Sequence, residues 1–149
     1  MRELLTKFWR WHQITPEKYA QKGMNQNIGE FEDAFPEFDV LLKTAFSIVD
    51  YNINESADIY DLLTVLAIDN EAETVLEYIE ENSSDEQLKT IVEIGIYHLQ
   101  PQARWQVAEL VYRRRPNGYL EYLSVLSNDH DSYVRTRTKN IIEALKSQA

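Results

Sequence analysis

Residues 84–116 read SDEQLKTIVEIGIYHLQPQARWQVAELVYRRRP, and this stretch decides the fold. Ser84 with Gln87 matches a capping box, in which the hydroxyl accepts from the backbone three residues on. Leu88, Ile91, Val92, Gly95 and Leu99 then recur at helical spacing on one inward face. Pro101, whose fixed φ suits a first helical position, opens a second helix with Ala103, Val107, Leu110 and Val111 inward. Arg113, Arg114 and Arg115 suit the negative end of that helix's dipole, and Pro116 stops it. Two helices in quick succession, with no strand-like alternation between them, predict an all-α fold.

The same pattern extends in both directions. Upstream, Ala72, Val75, Leu76 and Ile79 form a stripe closed by Asn82, and Ser56 is placed to cap a helix carrying Ile59, Leu62, Leu63 and Leu66. Phe38, Leu41, Leu42, Ala45, Phe46 and Val49 form a clear i, i+3, i+4, i+7 stripe that Asn52-Ile53-Asn54 breaks. Nearer the start, Leu5, Phe8, Trp9 and His12 line a first helix. Thr15 and Pro16 open a short second one that Gly23 ends, and Ile28, Phe31 and Phe35 suggest a further turn. Downstream, Tyr119, Tyr122, Leu123 and Leu126 precede Val134, Thr138, Ile141, Ile142 and Leu145. One domain is expected over residues 1–149, with 1–54 as an N-terminal helical extension and 55–149 as stacked helix pairs.

Short helices joined by tight turns invite a search for repeats. Val75-Leu76-Glu77-Tyr78-Ile79 echoes Tyr119-Leu120-Glu121-Tyr122-Leu123, and Thr90-Ile91-Val92-Glu93 echoes Asn140-Ile141-Ile142-Glu143 in the same order. Ser127-Asn128-Asp129-His130-Asp131-Ser132-Tyr133-Val134-Arg135, followed by Ile141, Ile142 and Leu145, resembles the turn and second helix of a HEAT repeat. Ala103-Arg104 is a fainter copy upstream, and Thr138 stands where that family carries alanine. The resemblance implies a HEAT-like α-α superhelix with a binding surface and no particular chemistry.

Composition narrows the function. There is no cysteine, which excludes disulfides, thiolate metal sites and cysteine nucleophiles. His12, His98 and His130 are far apart and none has a glutamate three residues before it, so neither a metal site nor a cofactor is expected. No phosphate loop or nucleophile elbow occurs, and the many carboxylates single out no acid/base pair, so no catalytic residue is assigned. The start of the chain lacks the apolar run of a signal or membrane span, and a cytoplasmic protein is expected. Arg113 to Arg115, Arg135, Arg137 and Lys139 are the only cations that could serve a nucleic acid, and they read as a solvated, dipole-supporting set.

Charge is distributed unevenly. Residues 30–93 carry 18 acids against Lys43 and Lys89 alone, whereas the two flanking segments are mildly basic. Such a middle repels nucleic acid and anionic membrane and attracts a basic protein. Within it, Glu73, Glu77 and Glu81 follow at i, i+4 spacing with Glu80 beside them, an arrangement that destabilises a helix by a few tenths of a kcal/mol per pair. No lysine lies nearby in sequence to relieve it. Asp85 and Glu86 continue the patch, and Tyr60, Asp61 and Tyr78 are candidate anchors, since tyrosine beside desolvated carboxylate is a frequent hot-spot composition. In size, acidity and the HEAT-like turn the chain resembles helical immunity proteins that neutralise nuclease toxins. That resemblance implies a non-enzymatic inhibitor docking a basic toxin domain. A HEAT-like adaptor in a cellular complex remains the alternative, as does a helical-repeat nucleic-acid enzyme working near Arg104 and Trp105.

Overall fold

A computed structural model describes residues 1–22, 32 and 34–148. The described residues form nine helices and no strand: α1 Arg2–Trp11, α2 Pro16–Lys22, α3 Phe38–Asp50, α4 Ser56–Ile68, α5 Thr74–Asn82, α6 Asp85–Gly95, α7 Pro101–Arg114, α8 Tyr119–Ser127 and α9 Ser132–Ser147. The expectations at Gly23, Ile28 and Phe31 fall outside the described residues. No described helix is long and apolar enough to cross a membrane.

Helix starts follow local chemistry. The Thr15 hydroxyl accepts from Lys18 N at 3.1 Å ahead of Pro16, and Asp131 accepts from Tyr133 N and Val134 N at the head of α9. The Ser84 hydroxyl accepts from Gln87 N as expected, but the return half of the capping box is missing. The Gln87 amide turns inward instead and donates to the carbonyls of Ile48 and Ile53, which orders the end of α3. Three other details differ from expectation. Ser56 is the first helical residue behind Glu55 and makes no cap bond. Ala72 is exposed and precedes α5, and Leu99 lies beyond the end of α6 with its side chain partly in solvent.

Two helices make the centre. In α4, residues 61–68 are buried in unbroken succession, so it is covered all round rather than on one stripe. The second, α7, packs on α4, α5, α6, α8 and α9. Its polar residues are buried with the apolar ones: Gln102, Arg104 and Gln106 are each 3% exposed or less. Gln106 donates to the carbonyls of Leu66 and Gln102. Arg104 forks onto Asp129 at 2.8 and 3.1 Å and donates to the carbonyls of His98 and Leu99. Helix α3 packs on α4 and α5, and Leu5 and Phe8 of α1 join the same apolar cluster that runs on to Ile141 of α9. Thr138 is fully buried, its hydroxyl satisfied by the Val134 carbonyl four residues back.

Candidate functional site

The acidic row lies on α5 and at the start of α6, and tertiary packing alters its charge balance. Glu73 is the N-cap of α5 in the left-handed region at φ 57°, outside the helix proper. The relief that local sequence denies comes from the C-terminal end of α7. Arg113 reaches Glu80 at 3.1 Å and Glu73 at 3.9 Å. Arg114 reaches Asp85 at 3.1 Å and also donates to Glu80 O, Ser83 O and Ser83 Oγ. The expectation of an uncompensated row is therefore corrected at Glu73, Glu80 and Asp85. Glu77, Glu81 and Glu86 remain exposed, and no ion pair reaches them among the described residues.

Tyr78 sits among these carboxylates with its ring stacked on Phe46, centroids 4.3 Å apart, and its hydroxyl donating to Asp50. That hydrogen bond, ahead of desolvation and the Asp50 charge, raises the tyrosine pKa. The contact draws the end of α3 into the face, adding Asp50 and the exposed Tyr51. Spacing could not find them, since Asp50 lies 28 residues from Tyr78. Asp50, Glu80 and Glu81 all stand in the last turns of their helices, where the dipole favours cations. At Glu81, which has no ion pair among the described residues, stability would favour lysine, whereas Asp50 and Glu80 are offset by Tyr78 and Arg113.

Tyr60 and Asp61 belong to another site. They line a cavity of about 300 Å³ with Arg2, Leu5, Thr6, Trp9, Pro16, Glu17, Thr64, His98, Leu99 and Gln100. Gln100 caps the N-terminus of α7, whereas Arg113 and Arg114 close its far end, so the two sites are about 20 Å apart at 1.5 Å per residue. Asp61 is buried and carries a forked ion pair with Arg2, at 2.9 and 3.0 Å. Burial pushes its carboxyl above the usual range, with Arg2 opposing.

His98 is buried under the stacked Tyr60 ring, 4.2 Å between centroids. Its Nδ1 accepts from Gln100 N, which leaves the proton on Nε2 to donate toward Thr64 Oγ1 or the Tyr60 carbonyl. In that tautomer the ring clamps the α6–α7 turn to α4 and cannot take a proton from Thr64. Burial, ahead of the opposing Tyr60 hydrogen bond and the nearby Arg104 charge, lowers its pKa to about 4.

Several arginines of the C-terminal half are engaged by other groups of the fold, whereas Lys139 is exposed. Arg137 lies over the Trp105 ring at 4.3 Å and donates to Glu109 at 2.7 Å. Arg135 donates to Asp129 O, and Arg115 to Gln148. Arg104 and Trp105 are buried, so they line no open groove. No group of three or more His, Asp or Glu side chains among the described residues could hold a metal ion. Comparison with known protein families, with curated proteins and with solved structures gives no significant match.

Proposed function

We propose that the chain is a protein-binding inhibitor of the immunity type, docking a basic, nuclease-type toxin domain on the face formed by α5 and the ends that flank it. One observation carries the reading: Glu77, Glu81 and Glu86 stay exposed on α5 and the start of α6 with no ion pair among the described residues, although Arg113 and Arg114 stand at the end of the adjacent α7. Exposed carboxylates, of which Glu81 lies at a helix end where the dipole favours cations, set around a Tyr78 ring held by Phe46 and Asp50, make a surface suited to steering and gripping a cationic partner. The HEAT-like stacking belongs to the same proposal. Successive contacts of α4 with α7 and of α7 with α9 support a row of second helices, and the contact of α3 with α5 supports a row of first helices. The grip of Arg104 on Asp129, in the turn before α9, supports a link from one pair to the next.

The test uses the chain as bait in lysate of its own cells mixed with their secreted proteins, wild type beside the Glu77→Lys/Glu81→Lys variant. The expected result is one basic protein retained by the wild type, released by salt, and missing from the folded variant. Identical proteins on both baits would count against the reading.

A further inference from the structure

The sequence contains a single Asn-Gly pair, Asn117-Gly118, and it falls in the turn between α7 and α8. Tyr119 N donates to the Pro116 carbonyl at 3.0 Å across this turn, and Gly118 holds φ 81° and ψ 16°. Those angles are what the third residue of a type II turn requires, a place that suits glycine. Asn117 is exposed, and its side-chain amide makes no hydrogen bond among the described residues. The Gly118 N–H has no acceptor among them either. A carboxamide and the main-chain N–H that follows it are therefore both left untied at the surface.

These groups are set for attack by the nitrogen on the neighbouring carboxamide. Glycine has no Cβ to crowd the nitrogen, and a methyl group built at Gly118 would have its nearest neighbours 3.9 Å away. Asn117 lines a cavity of about 350 Å³ together with Lys89, Arg114 and Arg115. Positive charge there favours the deprotonated nitrogen and the oxyanion that attack creates. Each of the other described asparagines is followed by a residue that bears a side chain. Asn70, Asn82 and Asn128 also donate through Nδ2 to carbonyls three or four residues back. Asn52 accepts from Ser84, and Asn140 lies inside α9, where the next N–H belongs to the helix.

We propose that Asn117 is a site of spontaneous deamidation and isoaspartate formation in the folded protein. The Gly118 nitrogen loses its proton to solvent and bonds to Asn117 Cγ. The Cγ–Nδ2 bond then breaks, and Nδ2 takes up a proton and leaves as ammonia, which closes a five-membered imide. Water opens the ring at either carbonyl, giving aspartate or, with the main chain rerouted through the side chain, isoaspartate. Asparagine and water are consumed, an acid and ammonia are formed, and nothing is oxidised or reduced. Attack requires the Asn117 ψ angle to leave the type II range, which breaks the bond from Tyr119 to Pro116. The chemistry is independent of what the acidic face binds.

The experiment ages the full chain in mildly alkaline buffer at body temperature, beside the same chain unfolded in guanidinium. Intact mass, isoelectric focusing and peptide mapping with electron-transfer fragmentation read the product, the last separating isoaspartate from aspartate. In the folded chain Asn117 should convert at least about tenfold faster than any other described asparagine, with isoaspartate in excess and a new band of lower isoelectric point. Asn117→Gln should remove that band. Gly118→Ala should slow the conversion in guanidinium, where strain in the turn plays no part. A folded chain whose Asn117 stays intact while the unfolded chain converts would overturn the proposal, because the turn would then protect the pair. A product of aspartate alone would do the same, since it bypasses the imide.

Discussion

Replacing Arg104 by methionine keeps most of the apolar stem and deletes the guanidinium. Five hydrogen bonds go with it: two to Asp129 at 2.8 and 3.1 Å, those to the carbonyls of His98 and Leu99 at 2.7 and 3.0 Å, and one to His130 Nε2 at 3.3 Å. The side chains of this pair are 4% and 6% exposed, so solvent cannot replace the lost charge. The Asp129 carboxylate would keep the Asp131 N–H at 2.9 Å and little else. Breaking a buried pair from one side costs about 3–5 kcal/mol. In a domain of this size each kcal/mol lowers the melting temperature by about 2–4 °C, so Arg104→Met should melt roughly 10 °C below wild type. Adding Asp129→Asn removes the stranded charge and should recover at least about half of the loss. Thermal and urea denaturation followed by circular dichroism, run as a double-mutant cycle, reads both effects. A single variant within about 1 kcal/mol of wild type would refute the reasoning, as would a cycle showing no coupling beyond about 0.5 kcal/mol.

Two further effects follow from burial. His98 has a folded pKa of about 4 against an ordinary value near 6.5, so the unfolded chain binds the extra proton first as pH falls. Its contribution is complete above pH 6.5 and is lost between there and about pH 4, amounting to roughly 3 kcal/mol. Urea midpoints measured across that window should fall for wild type and change less for His98→Gln; parallel pH profiles would contradict this. At Gly95 a methyl group would lie 2.6 Å from Val107 Cγ2 and 3.2 Å from Leu63 Cδ2. The overpacking cost of about 1–3 kcal/mol exceeds the gain of about 1 kcal/mol in helix preference, so Gly95→Ala should destabilise. In a Val107→Ala background, where room exists, the same change should stabilise, and a chemical melt showing no change of sign would refute the packing argument.

Much of the helix order was legible because each stripe reports the faces of its own helix, as in Leu41, Ala45 and Val49 of α3 or Leu88, Ile91 and Val92 of α6. The central place of α7 was not legible. Nothing in the spacing of Gln102, Arg104 and Gln106 signals that they are buried, and for Arg104 and Gln106 the partners that make burial tolerable include carbonyls and a carboxylate supplied by other elements. The acidic row was visible as spacing, but its partial neutralisation was not, because Arg113 and Arg114 stand about thirty residues further along the chain. For the same reason Asp50 and Tyr51 escaped notice, and Asp61 was placed with the surface acids although Arg2 buries it in another cavity. Periodicity carries no information about which distant helix will supply a counter-charge.

Binding through the acidic face is tested most directly by titrating the recovered basic protein, calorimetrically, into wild type and the Glu77→Lys/Glu81→Lys variant. Neither glutamate has an internal ion partner among the described residues. Reversal also exchanges one like-charged i, i+4 pair for another, so the two proteins should melt within about 2–3 °C of each other. The affinity of the variant should fall by at least about tenfold, with the wild-type complex weakening in parallel as salt is raised. An unchanged affinity in a variant that melts like wild type would contradict the proposal, leaving the acidic face a solvated surface with no part in recognition.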